Sequence, residues 1–428
     1  MKISIITSLI RKFKTDLFFR RYIIYFSGSM VVAFLNYLFY PILGRLLNPT
    51  DFGDIQALIS LINQSAVIFG AFSIVTVNLT ANVENPQERD AIISELQKVA
   101  LWVIGVVFLI LLFSIFKIKS FFNFSSIYPL VGLAVILSIS AITIFKSAYL
   151  QGSGQFINLS VSEIISSSGR LVFSTGFILL GLNVLGATFG IILANMLVLI
   201  YLIYITRDSF HLNIKVDRRV LRKGSIVKEL KYGILVFFVT GLVAVFYTSD
   251  VLIVKHYLNP LDAGLYSGVS AIAKILFFAI SPISAVLLAS VKLKQSFEEN
   301  SSILAKSFLI ALVIGSIGIL FFYKFDKQIV NLMVGSKYVS FANFLPIAGF
   351  LMFCSALTSV FVSYFLALRR FFLVLISLFG AFSVGFVLFF GHVTINAILM
   401  YLIVSLLVIL ILLTIVYAKD YIYHNTSL

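Results

Sequence analysis

The sequence predicts an all-α integral membrane protein with twelve transmembrane helices in two pseudo-symmetric six-helix lobes. Of the 428 residues, 61% are hydrophobic and only 11% are charged, whereas soluble domains have roughly 45–50% and 25%. The apolar residues fall into stretches long enough to cross a bilayer, and one motif recurs after the first and the seventh stretch. A protein core alone cannot hide so much apolar surface from water, so we expect these residues to face lipid.

Twelve stretches reach the length of about 20 residues that a transmembrane helix needs. The predicted spans are residues 22–44, 55–82, 99–116, 127–149, 158–180, 184–206, 231–257, 265–291, 303–323, 341–367, 371–390 and 394–418. They divide the chain into a lobe at 22–206, a basic cytoplasmic linker at 207–230, a second lobe at 231–418 and a cytoplasmic tail at 419–428.

Residues 1–21 predict an amphipathic helix that lies in the cytoplasmic interface of the membrane. The apolar side chains Ile6, Phe13 and Leu17 recur at helical spacing between Lys and Arg residues. Ser and Thr interrupt the apolar stretch, and no small-residue cleavage pattern follows it, as a secretory signal would require.

The net charge of +15 is mostly explained by membrane topology. With the N-terminus in the cytoplasm, the inner segments hold 22 Lys and Arg residues, the outer segments hold 7 and the spans hold 3. In this count Lys231, Lys255 and Lys306, near the ends of their spans, are assigned to the adjoining loops. Because Lys and Arg concentrate on the cytoplasmic side, we place both termini there and the chain in the inner (cytoplasmic) membrane. The basicity therefore requires no nucleic acid, although binding of the 207–230 linker to anionic lipid is an open alternative.

The chain offers no obvious metal or cofactor site. One cysteine, Cys354, excludes an intrachain disulfide and a Cys-based metal site. The four histidines are scattered along the sequence, so they form no apparent ligand cluster. We therefore expect no cofactor, and we expect any energy for transport to come from a gradient of H⁺ or Na⁺ or from consumption of the cargo outside.

An internal repeat relates spans one to six to spans seven to twelve. Leu47–Gly53 (LNPTDFG) and Leu258–Gly264 (LNPLDAG) are identical at five of seven positions, 211 residues apart. Pro129-x-x-Gly132 and Pro346-x-x-Gly349 form a weaker pair, 217 residues apart. Six spans per repeat give both halves the same orientation, so we expect parallel repeats. We assign a structural turn role, with the Asp as helix cap, to Asn48, Pro49, Asp51, Gly53, Asn259, Pro260, Asp262 and Gly264.

Several segments resemble one transporter family. They are Arg45–Gly53, Leu150–Phe156, Asp250 in the seventh span, Asn259–Tyr266 and Leu332–Tyr338. In order and spacing they resemble the lipid-linked oligosaccharide flippases of O-antigen and capsule assembly. These flippases form the polysaccharide-transport branch of the multidrug/oligosaccharidyl-lipid/polysaccharide exporter superfamily.

The resemblance implies a V-shaped, MATE-like exporter fold with a cavity between two lobes. It implies a polyprenyl-pyrophosphate-linked glycan as cargo, held while its lipid tail stays in the membrane lipid. Among protein partners, it implies the polysaccharide polymerase and chain-length proteins. It implies translocation rather than chemical conversion, so we expect no enzymatic activity.

Five ionisable residues fall inside the spans, where each costs a few kcal/mol unless it is paired or hydrated. They are Lys146, Glu163, Arg170, Asp250 and Lys274. At about 1.5 Å per residue, Asp250 and Lys274 lie at similar depth on consecutive spans, so we expect them to be close enough to pair. Arg170 lies near mid-membrane, where its planar donors suit a pyrophosphate.

Two interpretations are open for most of these residues. Asp250 and Lys274 are either a structural bridge or part of a cargo or ion-coupling site. Lys146 is either an anchor that reaches the interface or a cargo contact, and Glu163 either couples an ion or neutralises Lys146 or Arg170. The amide side chains inside the spans either hold neighbouring helices together by hydrogen bonds or contact the cargo. They are Asn36, Asn63, Gln64, Asn78 and Asn195.

Three function classes follow from these residues. The first is a flippase for the anionic lipid-linked glycan, because the embedded charges sum to +1. The second is an ion-coupled multidrug antiporter of the same fold, with Asp250 or Glu163 as the ion switch. A membrane enzyme is disfavoured, because the longest outer segment, about 324–340, carries one acidic residue and no histidine.

Overall fold

The computed structural model describes residues 17–82, 86–207, 223–292, 295–390 and 394–426. Within these ranges the chain forms twelve α-helices and no strands. The helices are α1 (Leu17–Leu46), α2 (Pro49–Asn82), α3 (Pro86–Phe121), α4 (Tyr128–Gly152), α5 (Phe156–Phe177), α6 (Asn183–Thr206), α7 (Lys223–Tyr257), α8 (Pro260–Ser290), α9 (Phe297–Met333), α10 (Leu345–Ala367), α11 (Leu373–Phe390) and α12 (Ile395–Thr426). Residues 1–16 of the interfacial helix predicted at 1–21 and residues 208–222 of the linker lie outside the described residues, and residues 17–21 begin α1.

The all-α membrane fold is confirmed, with eleven rather than twelve separate apolar segments in the described ranges. The difference arises at Phe156–Thr206, a continuous segment of 51 residues that contains both α5 and α6. A π-helical turn at Ile178–Leu182 joins the two helices. Gly181 in this turn has φ +86°, a left-handed conformation that suits glycine because it lacks a Cβ.

Most helices extend beyond the predicted spans. For example, α3 covers Pro86–Phe121 and α9 covers Phe297–Met333, whereas the predicted spans were 99–116 and 303–323. The added turns contain Glu, Gln, Lys and Arg, which favour helices as well as most apolar residues do. Hydropathy detects the lipid-crossing part of a helix and misses its polar ends.

The chain forms two compact units. Unit 1 contains residues 1–42, 72–113 and 131–229, and unit 2 contains residues 43–71, 114–130 and 230–428. Unit 2 therefore includes segments from both sequence repeats. The lobe boundaries 22–206 and 231–418 stay a prediction.

In unit 1, α5 and α6 form an antiparallel hairpin with small residues at the contact. A Cβ atom built on Gly169 would lie 3.2 Å from the Cβ of Ala194. Gly190 lies directly against Ser174, whose hydroxyl donates a 3.0 Å hydrogen bond to the Ala187 carbonyl. Small side chains allow helix backbones to approach closely, which is the usual way that helices associate in lipid.

In unit 2, α10 is the central helix. Most of its side chains are buried, including Met352, Tyr364 and Phe365. A 3₁₀-helix, Ser336–Phe344, leads into it from α9. Glycines such as Gly315 provide space for the rings of α10, because a Cβ there would overlap Phe353.

Candidate functional site

The second copy of the repeat motif forms the N-terminus of α8. Asn259 is the N-cap residue, and its side-chain oxygen accepts a 2.9 Å hydrogen bond from the amide of Asp262. Its Nδ2 donates to Asp262 Oδ2 at 2.7 Å, and Pro260 occupies the first helical position. The prediction that the Asp caps the helix is therefore wrong. Asn259 satisfies the free amide, and Asp262 places a negative charge at the positive end of the helix dipole.

The two motif copies pack against each other within unit 2. A Cβ built on Gly53 would lie 2.9 Å from Gly264 Cα, and one built on Gly264 would overlap the Pro49 carbonyl. Each motif therefore needs glycine because it packs against the backbone of the other.

Arg170 is an embedded cation in unit 1 that has no carboxylate partner among the described residues. Its Nη2 donates a 2.9 Å hydrogen bond to Asn36 Oδ1 on α1. Its guanidinium carbon lies 4.4 Å from the centre of the Phe39 ring. Its Nε is buried without a hydrogen-bond acceptor. Both contacts of the guanidinium, with the Asn36 amide and the Phe39 ring, come from α1. The N–H of Nε is left without an acceptor.

Two contacts that one interpretation of Glu163 requires are absent from the described part of the structure. Lys146 is buried, and its Nζ donates a 2.8 Å hydrogen bond to Thr206 Oγ1. Glu163 is half-buried and forms no ion pair with Lys146 or Arg170. Arg170 is two helical turns from Glu163, about 10 Å along the axis, which is too far for direct contact. Of the two interpretations of Glu163, neutralisation of Lys146 or Arg170 has no direct ion pair behind it among the described residues, and the ion-coupling role stays a prediction.

Asp250 and Lys274 lie together in unit 2, as their similar depth predicted. Lys274 Nζ is 3.9 Å from Asp250 Oδ1, and both side chains are buried. Asp250 Oδ2 accepts hydrogen bonds from Tyr266 at 2.9 Å and from Ser270. Oδ1 has no hydrogen-bond partner. The ion pair is therefore long and leaves one carboxylate oxygen unsatisfied.

The neighbouring amides differ in their contacts. Gln64 Nε2 donates to Thr248 Oγ1 at 3.0 Å, and Ser249 Oγ lies 3.4 Å away, so Gln64 connects α2 to α7. Asn63 is half-buried and forms no hydrogen bond with a described residue. Asn63 occupies the repeat position equivalent to Lys274.

A second buried ion pair was missed by the sequence interpretation. Lys255 Nζ lies 2.6 Å from Asp54 Oδ1, and the exposed fractions of the two side chains are 1% and 0%. Asp54 Oδ2 also accepts a 3.1 Å hydrogen bond from the Ser125 amide. Lys255 was counted as an outer-loop charge, and Asp54 fell just before a predicted span. Their positions beside the two motif copies are the signal that could have revealed the pair.

The family of the chain follows from a comparison of its sequence with models of known families. The model described as "Polysaccharide biosynthesis protein" matches residues 18–289, well over half of the chain. The chain belongs to this family. The resemblance noted from the repeat motifs is thereby confirmed at the level of the family. No curated protein sequence matches the chain.

Solved structures of MATE transporters share the fold of this chain. An inward-facing multidrug resistance MATE family transporter has a TM-score of 0.71 at 14% identity, with 93% of this chain and 98% of that chain covered. The MATE multidrug transporter DinF-BH has a TM-score of 0.61 at 15% identity, with 93% and 94% covered. An outward-facing MATE family transporter has a TM-score of 0.55 at 15% identity, with 95% of each chain covered. This member of the polysaccharide biosynthesis family therefore has a MATE-like fold.

Proposed function

We propose that the protein is a flippase that moves a polyprenyl-pyrophosphate-linked oligosaccharide repeat unit across the cytoplasmic membrane by alternating access. The repeat units would supply assembly of a surface polysaccharide such as O-antigen, capsule or exopolysaccharide. The observation that carries the proposal is Arg170, an arginine in a lipid-crossing helix with a buried Nε that lacks an acceptor. Family membership supports a role in polysaccharide biosynthesis.

Arg170 suits a pyrophosphate for a physical reason. A guanidinium has five N–H donors, and Asn36 accepts from only one nitrogen, Nη2. A buried cation without a counter-ion is costly, so an anionic ligand that supplies acceptors would bind favourably. Phosphate oxygens match the planar fork of arginine. Lys146, Lys274 and the amide of Asn63 are secondary candidates for cargo contacts.

The proposed topology places both termini in the cytoplasm, following the 22-to-7 distribution of Lys and Arg. The two motif copies then lie at the outer end of their helices. The polyprenyl tail would stay in the lipid, and the exported unit would pass to polymerase and chain-length proteins. The proposal assigns no chemical reaction and no cofactor to the protein.

Asp250 is the proposed coupling residue. Its carboxylate is buried, and Oδ1 is unsatisfied 3.9 Å from Lys274. Proton or Na⁺ binding to this carboxylate would change its interaction with Lys274 and thereby link transport to an ion gradient. Glu163, which lacks an ion-pair partner among the described residues, is the second coupling candidate.

Arg170→Ala tests the cargo site in cells that lack the native gene. We expect loss of surface polysaccharide and accumulation of lipid-linked repeat units at the inner leaflet, at normal abundance of the variant. The matched control is Arg207→Ala, because Arg207 is exposed at the end of α6 in the same unit. Normal export by Arg170→Ala at normal abundance would remove Arg170 from the cargo site.

An ion-coupled multidrug antiporter is the second candidate function. The unsatisfied Oδ1 of Asp250 favours it, because a buried carboxylate can exchange an ion for a cationic drug. The embedded cations Lys146, Arg170 and Lys274 oppose cationic cargo. Drug resistance that follows expression and disappears in Asp250→Asn, with unchanged surface polysaccharide, would favour this candidate over the flippase.

A further inference from the structure

Helix ends of the two sequence repeats are joined by reciprocal caps in unit 2. Arg45 near the end of α1 donates to the carbonyl of Leu332 in the last turn of α9. In the opposite direction, Lys337 Nζ donates to the carbonyls of Arg45 at 3.2 Å and Leu47 at 3.0 Å. The last carbonyls of a helix lack intrahelical partners and carry its negative dipole charge. Each repeat thus supplies the cation that caps a helix of the other.

The loop between α3 and α4 adds a third connection to the second repeat. Asn123 has φ +50°, and its Nδ2 donates to the carbonyls of Lys255 and His256, each at 3.1 Å. His256 Nδ1 forms a 2.5 Å hydrogen bond with the Phe121 carbonyl. Asn123 of the first repeat thus satisfies carbonyls at the end of α7, and His256 of the second repeat satisfies the last carbonyl of α3.

The buried Asp54–Lys255 pair adjoins these caps, because Lys255 also carries a carbonyl that Asn123 binds. Lys255 Nζ is 5.1 Å from the centre of the Phe124 ring. Phe124 also belongs to an apolar cluster with Ala57, Leu130, Val251 and Leu252. The pair is therefore enclosed on one side by apolar groups from both repeats.

We propose that these contacts form a gate that closes the outer end of the transport path and breaks during each transport cycle, with Asp54–Lys255 as its central pair. This inference rests on the proposed function, because alternating access requires the outer end to open.

The chemistry of the contacts suits a gate. The attraction within a buried ion pair is largely offset by the desolvation of the two charges. Separation into water therefore costs little, because both ions regain hydration. An apolar contact of the same size would lose stabilisation in proportion to the area exposed. The two charges can thus be paired and buried when the gate is closed, and separated and hydrated when it is open.

Replacement of the pair by apolar residues of similar size tests whether the ion pair opens during transport or only stabilises the fold. In Asp54→Leu/Lys255→Met we expect normal abundance and most of the native stability, because well-packed apolar groups often replace buried ion pairs without loss. We expect export of lipid-linked repeat units to fall at least tenfold, because the gate can no longer hydrate. The matched control is Arg370→Met/Asp420→Leu, which replaces a 2.9 Å ion pair that is partly exposed in the same unit.

A cysteine reporter measures opening without reference to cargo. Ala57→Cys in a Cys354→Ser background places one thiol at a fully buried position of the apolar cluster. Cells are treated from outside with a membrane-impermeant thiol reagent. We expect labelling when Asp54 and Lys255 are native and at least tenfold slower labelling in the Leu/Met double variant. Ala348→Cys, also fully buried, controls for unfolding and is expected to stay unlabelled.

The outcomes distinguish the gate from the cargo assignment. Equal labelling at position 57 in both backgrounds, no labelling in either, or export at the native rate by the double variant would overturn the gate. If labelling depends on the pair but deletion of the gene leaves no lipid-linked glycan behind, the gate stands and the flippase assignment fails.

Discussion

Lys255→Ala removes the cation of the more buried of the two internal ion pairs. Asp54 has an exposed fraction of 0%. Without Lys255, its one hydrogen-bond partner among the described residues is the Ser125 amide, 3.1 Å from Oδ2. Removal of one partner of a buried pair typically costs about 3–5 kcal/mol, because the other charge stays buried without compensation. At about 1.4 kcal/mol per tenfold change, the unfolding equilibrium should shift by roughly two to nearly four orders of magnitude.

Reversible unfolding of the purified protein in mixed micelles measures this loss. The control is Lys306→Ala, which truncates an exposed lysine of α9 and should change stability by no more than about 0.5 kcal/mol. Asp54→Leu/Lys255→Met should recover most of the loss. If Lys255→Ala is as stable as Lys306→Ala, Lys255 and Asp54 are not a buried pair and the reasoning fails.

Three further predictions concern the motif repeat and Arg170. Asn259→Ala should lower the unfolding free energy by about 1 kcal/mol through loss of the N-cap, measured in the same micelle assay. Gly264→Ala should reduce the abundance of folded protein severely, because a Cβ would overlap the Pro49 carbonyl; Gly176→Ala, where a Cβ meets open space, should be harmless. Arg170→Lys keeps the charge but loses the planar fork, so transport in proteoliposomes should fall roughly 10- to 100-fold, equivalent to about 1.4–2.8 kcal/mol. A rate equal to that of the native protein would show that bidentate contact is not required.

The sequence was sufficient for the fold and for one of the two buried ion pairs. Asp250 and Lys274 were predicted to meet because both lie deep in apolar spans that the motif connects directly. Their similar distance from the connecting motif places the two residues at the same depth. The short connection between α7 and α8 makes these helices neighbours. The structure adds Tyr266 and Ser270, whose hydroxyls satisfy one carboxylate oxygen.

The Asp54–Lys255 pair could not be predicted from hydropathy. Both residues lie near helix ends, where a charge normally reaches the interface, and 201 residues separate them. Tertiary packing of the motif copies at Gly53 and Gly264 brings them together. Glu163 shows how sequence spacing can mislead. The spacing of seven residues puts Glu163 on the same helix face as Arg170, but two turns along the axis, which is too far for contact.

Capping of α8 was predicted at the correct motif but with the wrong residue. Both Asn259 and Asp262 are residues that commonly cap helices. The proline at position 260 fixes the first helical position, so the residue before it must be the N-cap. Attention to this position would have selected Asn259 from the sequence alone.

The central claim is that the protein moves a lipid-linked glycan, and deletion of its gene tests this claim most directly. Lipids extracted from the deletion strain are analysed for polyprenyl-pyrophosphate-linked oligosaccharide, alongside the amount of surface polysaccharide. The account predicts accumulation of the lipid-linked repeat unit and loss of the surface polymer, both reversed by the native gene. Absence of accumulation together with intact surface polysaccharide would contradict it.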